Sequence, residues 1–185
     1  EGLRKIGIDP TGGKFKKYYT DDITLVEDFF SADAFKSVET RKANIVTSIA
    51  MFYDLEDPIA FARQIEEVLD VNGVWHFEQS YMPSMLRTNS YDTICHEHLE
   101  FYSLQVVKRI LSEANLKVVD VQMNAINGGS FAVTAAKKAS PLVENHAVIN
   151  WLVDQEKAMG LSTPKPYRDF EERVFRHRDD LVSLI

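Results

Sequence analysis

The sequence predicts an α/β fold, with a mainly parallel sheet closed by an antiparallel strand pair and followed by a helical segment. Three observations carry this. Short apolar, β-branched runs alternate with stretches of helical period up to Leu116, the pattern of strands joined by right-handed crossovers. The runs beginning at Leu116 and Ser130 are separated by a short connection holding Asn127-Gly128-Gly129, which suits an antiparallel pair. From Ser140-Pro141 onward only helical periodicity remains. The division is therefore residues 1–139 for the sheet domain and residues 140–185 for the helical segment.

Each element has a local reason. Lys5-Ile-Gly-Ile8 is a short strand ending in an acid, Asp9, and Thr11-Gly-Gly13 is a turn signal. Ile23–Val26 is a second strand, followed by Asp28-Phe29. Ser31 can cap a short helix through Lys36, with Asp33 favourable in its first turn. Ala43–Ile49, nearly all apolar or β-branched, reads as a strand covered on both faces. Asp57-Pro58 is a strong helix start, and Ile59, Ala62, Ile65, Val68 and Leu69 then share one face until Asn72-Gly73 stops the helix. Val74–Glu78 is a fourth strand. Ser103 caps a helix whose stripe is Val106, Val107, Ile110, Leu111 and Ala114, ending near Asn115. Leu116–Val121 and Ser130–Ala135 are the closing strands. One tail helix runs to Gly160 on Val143, Ala147, Trp151 and Ala158, and a second covers Tyr167–Ile185. Trp151 and Phe170 are expected to pack between helices, whereas His146 and His177 are expected to face solvent.

Composition excludes several classes. A net charge of −7 over 185 residues argues against a general nucleic-acid surface, which would be basic. No apolar run approaches the ~20 residues of a membrane span, and the N-terminus lacks the shape of a signal peptide. The lone cysteine, Cys95, rules out an intramolecular disulfide and fits a reducing, cytoplasmic setting.

Chemistry concentrates in Tyr91-Asp-Thr-Ile-Cys-His-Glu-His-Leu-Glu-Phe-Tyr-Ser103. This span has neither helical nor strand periodicity, and titratable residues beside aromatics between two regular elements mark a site loop. Asp9, at a strand end, can accept both hydroxyls of a ribose. Asp28 can take an exocyclic amine while Phe29 flanks an adenine face.

Together these acids and the closing strand pair resemble the later part of a class I S-adenosylmethionine-dependent methyltransferase domain, a truncated Rossmann-like sheet. Four segments, Ser48–Pro58, Phe77–Ser84, Tyr91–Ser103 and Asn127–Gly129, resemble the sugar-nucleotide C-methyltransferase family, whose members methylate a carbon of a keto-deoxyhexose carried on a nucleoside diphosphate. The resemblance implies S-adenosyl-L-methionine as cofactor, with Asp9, Asp28, Phe29 and Ser48 on its side of the site. It implies a nucleotide-sugar substrate near Met51, Glu78, Tyr81 and Asn127. His98 matches the general base that would generate an enolate, with Glu97, Cys95 and His96 beside it. Two positions depart from the pattern: Cys95 stands where many members carry tyrosine and Met51 where they carry histidine, so His96 is a substitute donor to the substrate oxygen.

The resemblance further implies that zinc belongs to an N-terminal module outside this chain, and that the chain starts at the domain's second strand and ends in the helix leading to a C-terminal domain. It would then lack the Gly-rich turn, bind S-adenosylmethionine weakly or not at all, and be inactive alone. Its first two strands would be displaced, re-paired or swapped in a dimer. Three other readings remain: a metal site from Cys95, His96, His98 and His76, an NAD-dependent sugar-nucleotide oxidoreductase, and a non-catalytic interaction module.

Overall fold

A computed structural model describes residues 2–185. Strand β1 (Lys5–Ile8) pairs in parallel with β2 (Ile23–Val26), Ile8 opposite Val26, to form a two-stranded sheet. A 3-10 turn over Gly12–Tyr18 joins them. Four further strands, β3 (Ala43–Ile49), β4 (Leu69–Ser80), β5 (Leu116–Asn124) and β6 (Ser130–Lys137), make a second sheet in the order β3-β4-β6-β5. β3 and β4 are parallel, and β6 runs antiparallel to both of its neighbours. Three strands of this sheet thus point one way and β6 alone opposes them. Among the described residues β1 pairs with β2 and not with β3.

Capping chemistry sets the helix starts. Ser31 accepts from the Ala34 amide at α1 (Ala32–Lys36), Asp57 from the Ala60 amide at α2 (Pro58–Val68), and Ser103 from the Val106 amide at α4 (Leu104–Glu113). Between them, α3 (Met82–Thr88) opens with Pro83 in its first turn and stops at Asn89, which adopts a left-handed conformation, φ 58°. The tail consists of α5 (His146–Ala158) and α6 (Lys165–Leu184).

One face of the four-stranded sheet carries Trp75, Phe77, Gln79 and Val46, and α2, α4 and α5 cover it with Phe61, Ile65, Leu104, Val107, Ile149 and Leu152. At its centre the rings of Phe52, Phe61, Trp75, Phe77 and Tyr102 pack against one another, with Trp75 and Phe77 4.3 Å apart between centroids and Phe52 and Trp75 5.4 Å. Tilted and edge-on aromatic pairs of this kind add to the burial itself. A smaller cluster of Ala32, Phe35 and Val68 gathers Ile6, Ile8 and Ala43, and a Phe30–Phe61 contact of 5.1 Å joins the two sheets' surroundings.

The structure corrects several sequence expectations. β3 is covered on one face only: Ile45 and Ile49 are exposed. Asn72-Gly73 does not end α2. The helix stops at Val68, the chain passes straight into β4, and Gly73 sits at an irregularity in the β3–β4 register where a Cβ would lie 2.7 Å from the Ala43 carbonyl. Helix α3 has no counterpart in the sequence reading. Val106 and Trp151 are exposed, because Leu104 and the Ile149, Leu152, Glu156 row take the inward positions of their helices. Val143 precedes α5 and is exposed, while Phe170 is buried as expected.

Candidate active site

The loop from Tyr91 to Ser103 is irregular beyond one 3-10 turn, Tyr91–Thr93. It is fastened at three places. The Leu99 and Glu100 amides both donate to the Tyr53 carbonyl at 3.1 Å, and the Tyr102 carbonyl accepts from the Met82 amide. At the loop's entry, the Tyr91 hydroxyl and His177 Nδ1 on α6 lie 2.8 Å apart, so His177 is engaged with the site loop.

The loop brings His98 to the 3-10 turn Phe52–Asp54, which follows the carboxyl end of β3. His98 is half-buried, its ring 4.5 Å from the Tyr53 ring. Its Nδ1 lies 2.8 Å from the Thr93 carbonyl oxygen. A carbonyl only accepts, so Nδ1 carries the hydrogen, and in the neutral ring Nε2 is left with the lone pair. Asp54, Glu97 and His98 are within electrostatic reach of one another. Partial burial raises the Asp54 carboxyl above its ordinary range, a charged His98 pulls it down, and Glu97 pushes it up. Burial likewise raises the Tyr53 hydroxyl, with Asp54 and Cys95 adding to the effect. Cys95, His96 and Glu97 are exposed on the same loop, and Met51 is half-buried immediately before the 3-10 turn.

Other expected site residues fall in separate places. Asp9 and Asp28 follow the carboxyl ends of the paired strands β1 and β2. Asp9 Oδ1 accepts from the Thr11 amide at 2.7 Å and the Thr11 hydroxyl at 2.8 Å, which hold its carboxyl below the usual range, while Oδ2 has a long 3.5 Å contact from the Tyr19 hydroxyl. Asp28 accepts from the Phe29 amide, and the Phe29 ring is 76% exposed, free to stack on a planar ligand. The Ser48 hydroxyl accepts from Trp75 Nε1 at 2.7 Å, inside the fold. Glu78 stands opposite Ile49 on the less covered sheet face. The Tyr81 ring is buried, its hydroxyl donating to Glu156 at 2.8 Å, and burial followed by that bond keeps the phenol protonated far above neutral pH. Asn127 adopts φ 51° in the turn before β6, where Gly129 accepts from the Tyr81 amide. A Cβ on Gly128 or Gly129 would sit 2.5–2.6 Å from Ser90 or Ser84, so the turn lies directly against α3 and the start of the site loop.

The sequence reading missed three residues of this region, Tyr53, Asp54 and Glu156. No local pattern marks Tyr53-Asp54, which follow β3 after Ala50-Met51-Phe52. His76 bonds through Nδ1 to Thr134 within the sheet, and among the described residues no group of three or more His, Cys, Asp or Glu could hold a metal ion. Nor, among them, is any helix long and apolar enough to cross a membrane.

Comparison with known proteins agrees with this architecture. Residues 5–121 match the model of a methyltransferase domain, and residues 125–185 that of a C-methyltransferase C-terminal domain. A C-methyltransferase, NovU of Streptomyces niveus, is 27% identical over 186 residues, covering 100% of this chain and 44% of its own length. The chain therefore spans under half of that curated relative. Solved structures with the same fold include LepI in complex with SAM, with TM-score 0.59, 12% identity and coverage of 74% of this chain and 37% of that one. Another is the O-methyltransferase NcsB1 from neocarzinostatin biosynthesis, with SAM and 2-hydroxy-5-methyl naphthoic acid, at TM-score 0.53, 16% identity and coverage of 73% and 42%. The oxidoreductase alternative gives way to these matches: the chain belongs to the methyltransferase-domain family, and its C-terminal third carries the C-methyltransferase signature.

Proposed function

We propose that this chain is the base-bearing part of an enzyme that methylates a carbon of a nucleotide-linked keto-deoxysugar, using S-adenosylmethionine and an enolate generated by His98, and that the 185 residues alone bind the cofactor weakly and are inactive. The observation that carries this is the fixed tautomer: the Thr93 carbonyl holds the Nδ1 hydrogen and leaves Nε2 as the basic atom, on a half-buried ring at the carboxyl edge of the sheet. Asp9, whose Oδ2 has only a long contact from the Tyr19 hydroxyl, and Phe29, with a bare ring face, fit the ribose and adenine of the cofactor. When bound, that cofactor supplies an electrophilic methyl group.

His98 Nε2 would take a proton from the carbon beside the sugar ketone. Asp9, Asp28 and Phe29 would hold the methyl donor, which would supply the electrophilic carbon that takes up the electron pair of that C–H bond. The proton stays on the imidazole, whose Nδ1 hydrogen the Thr93 carbonyl holds. His96 or Cys95, both exposed beside it, is the candidate donor to the enolate oxygen. The nucleotide-sugar substrate rests on likeness to the sugar-nucleotide C-methyltransferases and on the residues that carry it.

His98→Ala in the full-length enzyme tests this. Transfer of a radiolabelled methyl group to an NDP-keto-deoxyhexose should fall by roughly 10²–10⁴-fold, the usual contribution of a positioned general base. Unchanged transfer would remove His98 from the role.

A further inference from the structure

Glu156 is fully buried, on α5, with no basic side chain bonded to it. Ordinarily such a carboxylate is costly to bury. Its oxygens are instead used by three donors from two other segments. Oε1 accepts from the Tyr81 hydroxyl at 2.8 Å and the Leu104 amide at 2.5 Å, and Oε2 accepts from the Gln105 amide at 2.9 Å. Leu104 and Gln105 open α4, so the carboxylate sits on free amides at the positive end of a ten-residue helix. Ser103 already caps that helix through the Val106 amide, and Glu156 takes the two amides that Ser103 leaves.

The location of these bonds matters more than their number. Ser103 is the last residue of the site loop, and Tyr81 follows the last residue of β4. The Tyr102 carbonyl is bonded to the Met82 amide, and the Tyr81 amide to Gly129. One side chain from the C-terminal third therefore ties together the exit of the His98 loop, the tip of β4 and, through Tyr81, the Asn127–Gly129 turn. A capping role alone needs a short polar side chain at the N-cap position, which Ser103 supplies. It does not call for a buried carboxylate 51 and 52 residues away that also holds a tyrosine.

We infer that Glu156 is a positioning residue, through which the segment 125–185 fixes the site loop and hence the placement of His98. The part of this that concerns catalysis rests on the methyl-transfer reading above. The part that concerns the loop does not.

The test is amide hydrogen exchange on the full 185-residue chain, with Glu156→Gln and, as a packing control on the same helix, Leu152→Ala. Glutamine cannot accept at both oxygens, so one amide of α4 meets an NH₂ group. The expected result is a loss of protection of roughly 10- to 100-fold at Leu104 and Gln105, the value of a hydrogen bond to a charged group. The same variant should loosen Leu99 and Glu100, whose amides are bonded to Tyr53, whereas Leu152→Ala should lower protection across the core without singling out those two. If Glu156→Gln affects only Leu104 and Gln105, the residue is a local cap and the inference is overturned. Should Glu156→Gln fail to fold, Tyr81→Phe removes one donor and keeps the helix contacts. It should loosen Leu99 and Glu100 by a smaller factor, and no change there would equally overturn the inference. In the methyl-transfer assay on the full-length enzyme Glu156→Gln should lower kcat by about 10²-fold, as a misplaced catalytic group does, with little change in KM. Exchange is read without substrate, so its outcome stands apart from that of His98→Ala.

Discussion

The two sheets of this protein differ in what holds them. The β1–β2 sheet has four residues in each strand, none fully buried, and charge beside it meets in a surface pair, Lys5–Asp22. Exposed pairs of that kind contribute little. The β3–β6 sheet rests on a cluster of interlocked aromatic rings and three covering helices. Yet the expected cofactor acids, Asp9 and Asp28, stand on the weaker sheet, and the proposed base, His98, beside the stronger. On the proposed reading the proton-transfer half of the chemistry would be the pre-organised half.

That contrast can be broken by mutation. Phe52 sits at the meeting point of Phe61, Trp75, Phe77 and Tyr102, so Phe52→Ala should cost about 3–5 kcal/mol in denaturant unfolding. Ile8, half-buried beside the small cluster, should cost roughly 1 kcal/mol when cut to alanine. Equal losses would mean that the two sheets form one cooperative core.

A finer effect concerns Asp54. Its carboxyl is raised in the folded protein, so the native state holds the proton more tightly than the unfolded chain does. The stabilisation from that proton is complete below the ordinary carboxylate pKa and disappears as pH rises through the raised value. Asp54→Asn should then leave the melting temperature unchanged at low pH and raise it slightly at neutral pH, by well under 1 kcal/mol because the group is largely solvated. A lower melting temperature at neutral pH would show that the Asp54 charge is held favourably by His98.

Much of the fold was readable because local chemistry and tertiary structure agree. The strand ends at Ile8, Val26 and Ile49, the caps Ser31, Asp57 and Ser103, and the left-handed Asn115 all stand where their residue types place them. Reading failed where a tertiary contact overrides a local rule. Asn72-Gly73 reads as a stop, but Gly73 serves the close approach of β3. Trp151 reads as core, but Ile149, Leu152 and Glu156 share the buried face of α5 and leave Trp151 outward. In the candidate site the irregular loop carrying His98 was readable from its lack of period. Its partners Tyr53 and Asp54 were hidden because a contact between residues 53 and 98 leaves no local pattern.

The central claim is that His98 removes the proton before any methyl group moves. It is measured most directly by incubating the full-length enzyme with its keto-sugar nucleotide in D₂O, without methyl donor, and following deuterium incorporation at the carbon beside the ketone. The account predicts incorporation with the native protein and its loss with His98→Gln. Incorporation at the native rate in His98→Gln would contradict it.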